Sequence, residues 1–144
     1  MSLFPENVNF LSTVRYIKGG RSAGNFVNFN LALHVNDKTD SVLENRSILK
    51  DYYELPSEPV WINQTHSSIC IDASLTERVI EADASFTLNP GTVCSILTAD
   101  CLPVFVSKKD GTMVGVAHAG WKGLISGVIE NLIEAFGCSG EELV

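Results

Sequence analysis

The sequence predicts a mixed α/β (α+β) fold, a layered sandwich with a central mixed sheet flanked by helices. Three observations lead there. Short apolar runs of strand length recur at residues 60–62, 69–73, 93–97, 104–107 and 113–117, separated by turn residues. Two longer segments, 41–55 and 124–136, carry apolar residues at helical spacing. The 144 residues, 45% of them hydrophobic, suffice for one domain with its own core, so 1–144 is read as a single domain.

Taken in order, residues 8–15 read as a first strand, and "GGRSAGNFVNFNLALHVND" at 19–37 is rich in Gly and Asn and therefore loop-like. In the helix at 41–55, Ser41 and Glu44 form a capping box. Val42, Ile48, Leu49, Tyr52 and Tyr53 share a face of that helix, and Pro56 and Pro59 close it. The strands at 60–62 and 69–73 flank a turn holding His66, and "EADASFT" at 81–87 reads as a connector carrying Asp83. Residues 93–97, 104–107 and 113–117 read as buried strands, the last two joined through "KKDG" at 108–111. In the helix at 124–136, Leu124, Ile125, Val128, Ile129, Leu132, Ile133 and Phe136 make one apolar face, with Gly137 as the C-cap. A second capping box, Ser139 with Glu142, precedes only two more residues. A single helical turn is not worth nucleating. The expectation is that a longer protein continues beyond Val144, of which these residues are the N-terminal part.

Composition excludes several partners. The net charge is −7 and no Lys/Arg run occurs, which argues against nucleic acid while leaving room for a small anion. No apolar run reaches the roughly 18 residues of a membrane span. "MSLFPENVNF" lacks the features of a signal peptide, so the cytoplasm is the expected compartment. Cys70, Cys94, Cys101 and Cys138 form no CxxC pair and read as reduced thiols, all but Cys101 as small buried hydrophobes.

His66, Cys101 and His118 stand out because each follows an apolar strand-like run, and Gly120 and Gly123 allow close backbone approach beside the last. A lone histidine is more often structural, as His34 is read here. Two histidines and a cysteine at strand ends instead suggest a metal site or a Cys–His catalytic pair. Zinc accepts imidazole and thiolate, and three protein ligands leave an open position. Asp100 could orient a ligand or move a proton, or be a plain turn carboxylate. Lys122, after Trp121 at the start of the last helix, could hold phosphate there or be a solvated surface charge.

The stretches "NFNLALHVND", "ENR", "VWINQTH", "ADASFT", "LTADCLPV" and "VGVAHAGWKGLISGV" together resemble the bacterial purine nucleoside phosphorylases once called multicopper polyphenol oxidases, or laccase-domain proteins. The resemblance implies a zinc site of His66, Cys101 and His118. It also implies a nucleoside pocket that would include Arg46 of "ENR" and position 28, where Asn28 replaces the family's Ser. The family's glycine loop is altered too, with three residues separating Arg15 from Gly19-Gly20 and Asn25 in place of proline. The implied substrates are phosphate and purine nucleosides: adenosine, inosine, guanosine and methylthioadenosine. Adenosine deamination is implied as a second activity, with Asp100 or another acid moving protons. By fold the family is similar to the cytotoxic necrotizing factors, which keeps open a Cys–His hydrolase with Cys101 as nucleophile and His118 as base. Editing of peptidoglycan precursors is a related alternative. A copper oxidoreductase ranks below zinc chemistry, because Met113 has no evident axial position and a multicopper centre needs more than the chain's three histidines. A non-catalytic metal-binding domain is the remaining alternative.

Overall fold

The computed structural model describes residues 4–9, 29–75 and 79–144, which fall into two compact units. One unit comprises residues 1–10 and 59–144, and the other residues 11–58. Of the strand expected at 8–15, only Val8 and Asn9 are among the described residues, and neither is in a strand. Arg15, Gly19, Gly20, Asn25 and Asn28 lie outside the described residues.

The larger unit contains the expected mixed sheet, built from β1 (Cys70–Asp72), β2 (Ala84–Thr87), β3 (Leu102–Ser107) and β4 (Val114–Ala119). Their order is β1-β2-β4-β3; β1 runs parallel to β2, and the other two pairings are antiparallel. Three expectations about strands need correction. The stretch 81–87, read as a connector, supplies β2, a strand with neighbours on both sides. Its "ADAS" carries small and polar residues, so it lacks the apolar signature of a strand, yet small side chains suit a position where Ala84, Ser85 and Thr87 are all buried.

The run 93–97, read as a strand, lies outside this sheet and makes one isolated bridge, Cys94 to Val60. A side chain stands in for the missing neighbour. The Leu97 N–H donates to Gln64 Oε1 at 2.7 Å, and Gln64 Nε2 donates to the Leu97 carbonyl at 2.7 Å. Both backbone groups of Leu97 are thus satisfied without a ladder. Residues 60–62 likewise form no strand; Val60 takes part in that bridge, and its carbonyl accepts from the Ser95 hydroxyl at 2.8 Å.

The β3–β4 hairpin matches its expectation closely. In its turn, Asp110 Oδ1 accepts from the Thr112 N–H at 2.9 Å and from its hydroxyl at 2.6 Å, and Gly111 takes φ +71°. Strand alternation then sorts the side chains. Val106, Ala117, Ala119 and Ala84 join Met113, Val128, Leu132 and Phe136 in the core.

The helix expected over 124–136 is two helices, α1 (Trp121–Ser126) and α2 (Val128–Ala135). They are joined at Gly127, whose φ of +88° only glycine adopts without strain. The joint turns the chain, so one apolar face does not run through both. Val128, Leu132 and Phe136 are buried, whereas Leu124, Ile125 and Ile133 are exposed. Gly137 follows α2 at φ +58°, donating to the Glu134 carbonyl at 3.0 Å, as expected of a C-terminal glycine. The Ser139–Glu142 box forms at a 3-10 turn, and Val144 exchanges two 2.9 Å backbone hydrogen bonds with Ser107.

In the smaller unit, a helix spans Thr39–Tyr52. It starts two residues before the expected start at 41, with Lys38 as N-cap and no side-chain cap, so the Ser41–Glu44 box does not form its start. Val42, Asn45, Arg46 and Leu49 are its buried residues, while Tyr52, expected on that face, is exposed. No helix among the described residues is long and apolar enough to cross a membrane.

Gly115 of β4 sets the approach of α2. A Cβ there would lie 2.8 Å from Leu132 Cδ1 and 3.1 Å from both Phe136 Cε2 and the Ser85 carbonyl oxygen. Gly115→Ala is expected to cost about 1–3 kcal/mol by overpacking. Leu132→Ala, which empties a fully buried site, is expected to cost about 2–5 kcal/mol. Urea unfolding of each variant against wild type measures both values.

Candidate metal centre

One end of the sheet gathers the groups that the sequence singled out. Because β3 and β4 are antiparallel, the residue before β3 lies near the end of β4, with Leu102 opposite Ala119 and Pro103 opposite His118. That places Cys101 beside His118. The start of β2 meets the same end of β4, since Ala84 pairs with Ala117 and the His118 N–H donates to the Asp83 carbonyl at 2.7 Å. The start of β1 lies next to that of β2, so the turn leading into β1 brings His66 to the same end.

The three residues therefore do not each close an apolar strand, as the sequence suggested. Only His118 sits at the end of one; Cys101 precedes β3, and His66 precedes β1. They converge nonetheless. One donor atom from each of His66, Cys101 and His118 lies within 4.8 Å of the others. Cys101 Sγ is 3.8 Å from His66 Nε2, and the imidazole rings stand edge to face with centroids 4.9 Å apart.

Two imidazoles and a thiol are a donor set that zinc accepts, and metal bonds of about 2.0–2.3 Å would require the widest spacing to close by roughly 1 Å. The group grades from exposed His66 through half-buried Cys101 to buried His118, leaving one side open. Gly120 makes the space. A Cβ on it would sit 2.8 Å from His66 Cδ2 and 2.9 Å from Cys101 Sγ.

Asp83, which the sequence reading left in a connector, lies against this group. Its buried carboxylate accepts from His118 Nδ1 at 2.8 Å, from the backbone N–H groups of Thr65, His66 and Ser67 at 3.1, 3.1 and 2.7 Å, and from the Ser67 hydroxyl at 2.8 Å. Burial alone would raise its pKa; the hydrogen bonds from His118, Ser67 and Thr65 outweigh that and hold it below the usual carboxylate range. The turn it organises holds His66 at φ +61°, a left-handed backbone that non-glycine residues seldom adopt. A signal was available in the sequence: an acid inside the short run "ADAS" must find donors if that run is a buried strand.

The thiols differ in setting. Burial pushes Cys70 up to about 12 and Cys94 up to about 11, so both stay protonated at neutral pH. The Cys101 thiol is also raised, by desolvation and then by the nearby Asp100 carboxylate, toward which it points at 3.6 Å. That environment disfavours a free thiolate, whereas a metal cation would reverse the local electrostatics.

Asp100 is exposed beside Cys101. Lys122 is exposed on α1, its ammonium 5.6 Å from the Trp121 ring centroid. Arg46 belongs to the smaller unit, where its Nε and Nη2 donate to the Leu31 carbonyl at 2.9 and 2.7 Å. Its burial lowers its pKa, an effect that Glu58 opposes. His34, read as structural, is exposed.

Residues 11–143 match the family described as multi-copper polyphenol oxidoreductase laccase. The chain belongs to this family. Within it, the laccase-family chain is 38% identical over 140 residues to a purine nucleoside phosphorylase of Haemophilus influenzae and 41% identical over 140 residues to one of Pseudomonas aeruginosa. Those alignments cover 97% of this chain and 57% and 56% of the relatives, so the chain spans a little over half the length of the curated relatives it matches. The crystal structure of a Neisseria meningitidis protein superposes with a TM-score of 0.87 at 38% identity, covering 97% of this chain and 57% of that one.

Gly120 provides a test of the cradle. Its φ of −69° suits alanine, so Gly120→Ala should fold while its methyl group pushes His66 and Cys101 apart. The expected result is near-wild-type thermal stability with a marked loss of bound zinc after equilibration and desalting, measured by elemental analysis.

Proposed function

We propose that this chain carries the metal-binding centre of a zinc-dependent purine nucleoside phosphorylase, with His66, Cys101 and His118 as the ligands. The observation that carries the reading is the convergence of those three donors at one sheet end, in a chain whose relatives are named purine nucleoside phosphorylases. Zinc held there would supply Lewis acidity. The substrates are phosphate and a purine nucleoside (adenosine, inosine, guanosine or methylthioadenosine), and adenosine deamination is the second activity.

In phosphorolysis a phosphate oxygen forms a bond to the anomeric carbon as the bond from that carbon to the purine nitrogen breaks, and the departing base takes up a proton. Asp100, exposed and beside Cys101, is the acid assigned in this reading to proton handling at the open side. Lys122 is the cation assigned to phosphate. Since α1 has only six residues, that role rests on the ammonium charge more than on a helix dipole. Arg46 and Asn28 are the nucleoside-binding assignments carried by the family resemblance. Four free thiols suit a reducing compartment, and the cytoplasm is the proposed location.

Two features favour this reading over its rivals. A Cys–His hydrolase uses a free thiolate, which desolvation and the nearby Asp100 carboxylate disfavour at Cys101. A blue-copper centre calls for an axial methionine near the ligands; Met113 is buried in the core just before β4, at the opposite end of that strand from His118.

The reading is tested by incubating the protein with inosine and phosphate and measuring hypoxanthine, with adenosine-to-inosine conversion followed separately. Cys101→Ala is expected to reduce hypoxanthine release to background while thermal unfolding remains cooperative. Undiminished release in that variant would reject the metal-centred mechanism. Lys122→Ala should raise the KM for phosphate about tenfold, a loss of ~1.4 kcal/mol, with the KM for inosine little changed.

A further inference from the structure

We infer that Asp83 is the positioning residue of the metal centre, presetting both histidine ligands through one carboxylate before any metal arrives. The inference rests on the proposed coordination by His66, Cys101 and His118 and adds a residue outside that set. Asp83 Oδ1 meets His118 Nδ1 at 2.8 Å and the backbone N–H of His66 at 3.1 Å. A carboxylate oxygen only accepts, so Nδ1 of His118 carries the proton and Nε2 is left with its lone pair for a metal. The same oxygen therefore fixes the tautomer of one ligand and the backbone of the other.

The second oxygen completes the turn. Oδ2 accepts from Thr65 N, Ser67 N and Ser67 Oγ, wrapping residues 65–67 around the carboxylate and holding His66 in its left-handed conformation. One other element holds the segment: Asn131 Nδ2 donates to the Ser68 carbonyl at 2.7 Å. That bond ties the chain just after the turn to α2 without involving Asp83.

Asp83→Asn is nearly isosteric but replaces one acceptor oxygen with a donor. If Asn keeps its oxygen toward His118 and His66, its NH₂ faces the donors of Thr65 and Ser67. In the opposite orientation the NH₂ faces His118 Nδ1, which must then accept, moving the ring proton to the nitrogen a metal needs. Either orientation disturbs one ligand.

Cobalt(II) reports on this directly, because its visible absorption depends on ligand number and geometry. The metal-free wild-type protein is titrated with cobalt(II) beside Asp83→Asn and Ser67→Ala. Wild type is expected to give a thiolate–cobalt charge-transfer band with intense tetrahedral d–d bands. Asp83→Asn should bind at least ~10-fold more weakly, within the ~10–100-fold typical of a lost outer partner, with weakened d–d bands. Ser67→Ala, which removes one of the bonds to Oδ2, should change affinity much less. Wild-type protein that binds no cobalt at Cys101 would overturn the coordination reading. Wild-type binding together with an unchanged affinity and spectrum in folded Asp83→Asn would overturn the role of Asp83 alone. Should Asp83→Asn not fold, nitrogen-15 imidazole shifts of metal-free wild type decide: a protonated Nδ1 on His118 supports the inference, and a protonated Nε2 with bare Nδ1 overturns it.

Discussion

A buried carboxylate must be surrounded by donors, and much of the sheet end that gathers the candidate ligands follows from how Asp83 meets that requirement. Its five donors come from the turn at 65–67 and from β4, segments far apart in the chain. Together they solvate the charge, so the turn, the start of β2 and the end of β4 are held as one assembly. The unusual backbone at His66 is tolerated because these bonds compensate for it.

Strand alternation divides the two jobs of the sheet. Gly115, Ala117 and Ala119 of β4 point toward the α2 side, where Leu132 and Phe136 fill the core. His118 falls between Ala117 and Ala119 and faces the other way, as its contact with Asp83 requires. Small residues on the helix side let α2 lie close, and the polar residue between them remains free for chemistry. The break at Gly127 extends this division, with α2 packed on the sheet while α1 begins at Gly120, against Cys101 and His66.

The hairpin at 102–119, the capped end at Gly137 and the three donor residues were legible because each has a local signature: apolar runs around a turn, a terminal glycine, and rare metal-binding residue types. What could not be read depended on distant partners. Residues 81–87 look like a connector because burial on both sides selects small side chains, which leave no apolar pattern. The run 93–97 looks like a strand, but its backbone is satisfied by the Gln64 amide, a substitution no periodicity encodes. The split at Gly127 was missed because a helical pattern does not reveal one residue's φ. Asp83 escaped notice as a site residue for the same reason as β2: its importance is burial, and burial there is set by β4.

Cys101 and His118 stand at the open end of a hairpin whose closed end is the turn at 108–113. This gives the two ends unequal tolerance to changes in chain length. Residues added near the tip, around 110–112, would leave the strand register intact, costing the Asp110–Thr112 turn bonds, the Asn7–Gly111 hydrogen bond and a small loop entropy. Inserting one residue within β4 would send His118 to the helix side of the sheet and carry an alanine to the donor group. Loop grafting or an inserted affinity tag therefore belongs at the tip of this hairpin, while its strands do not accept a change in the number of their residues.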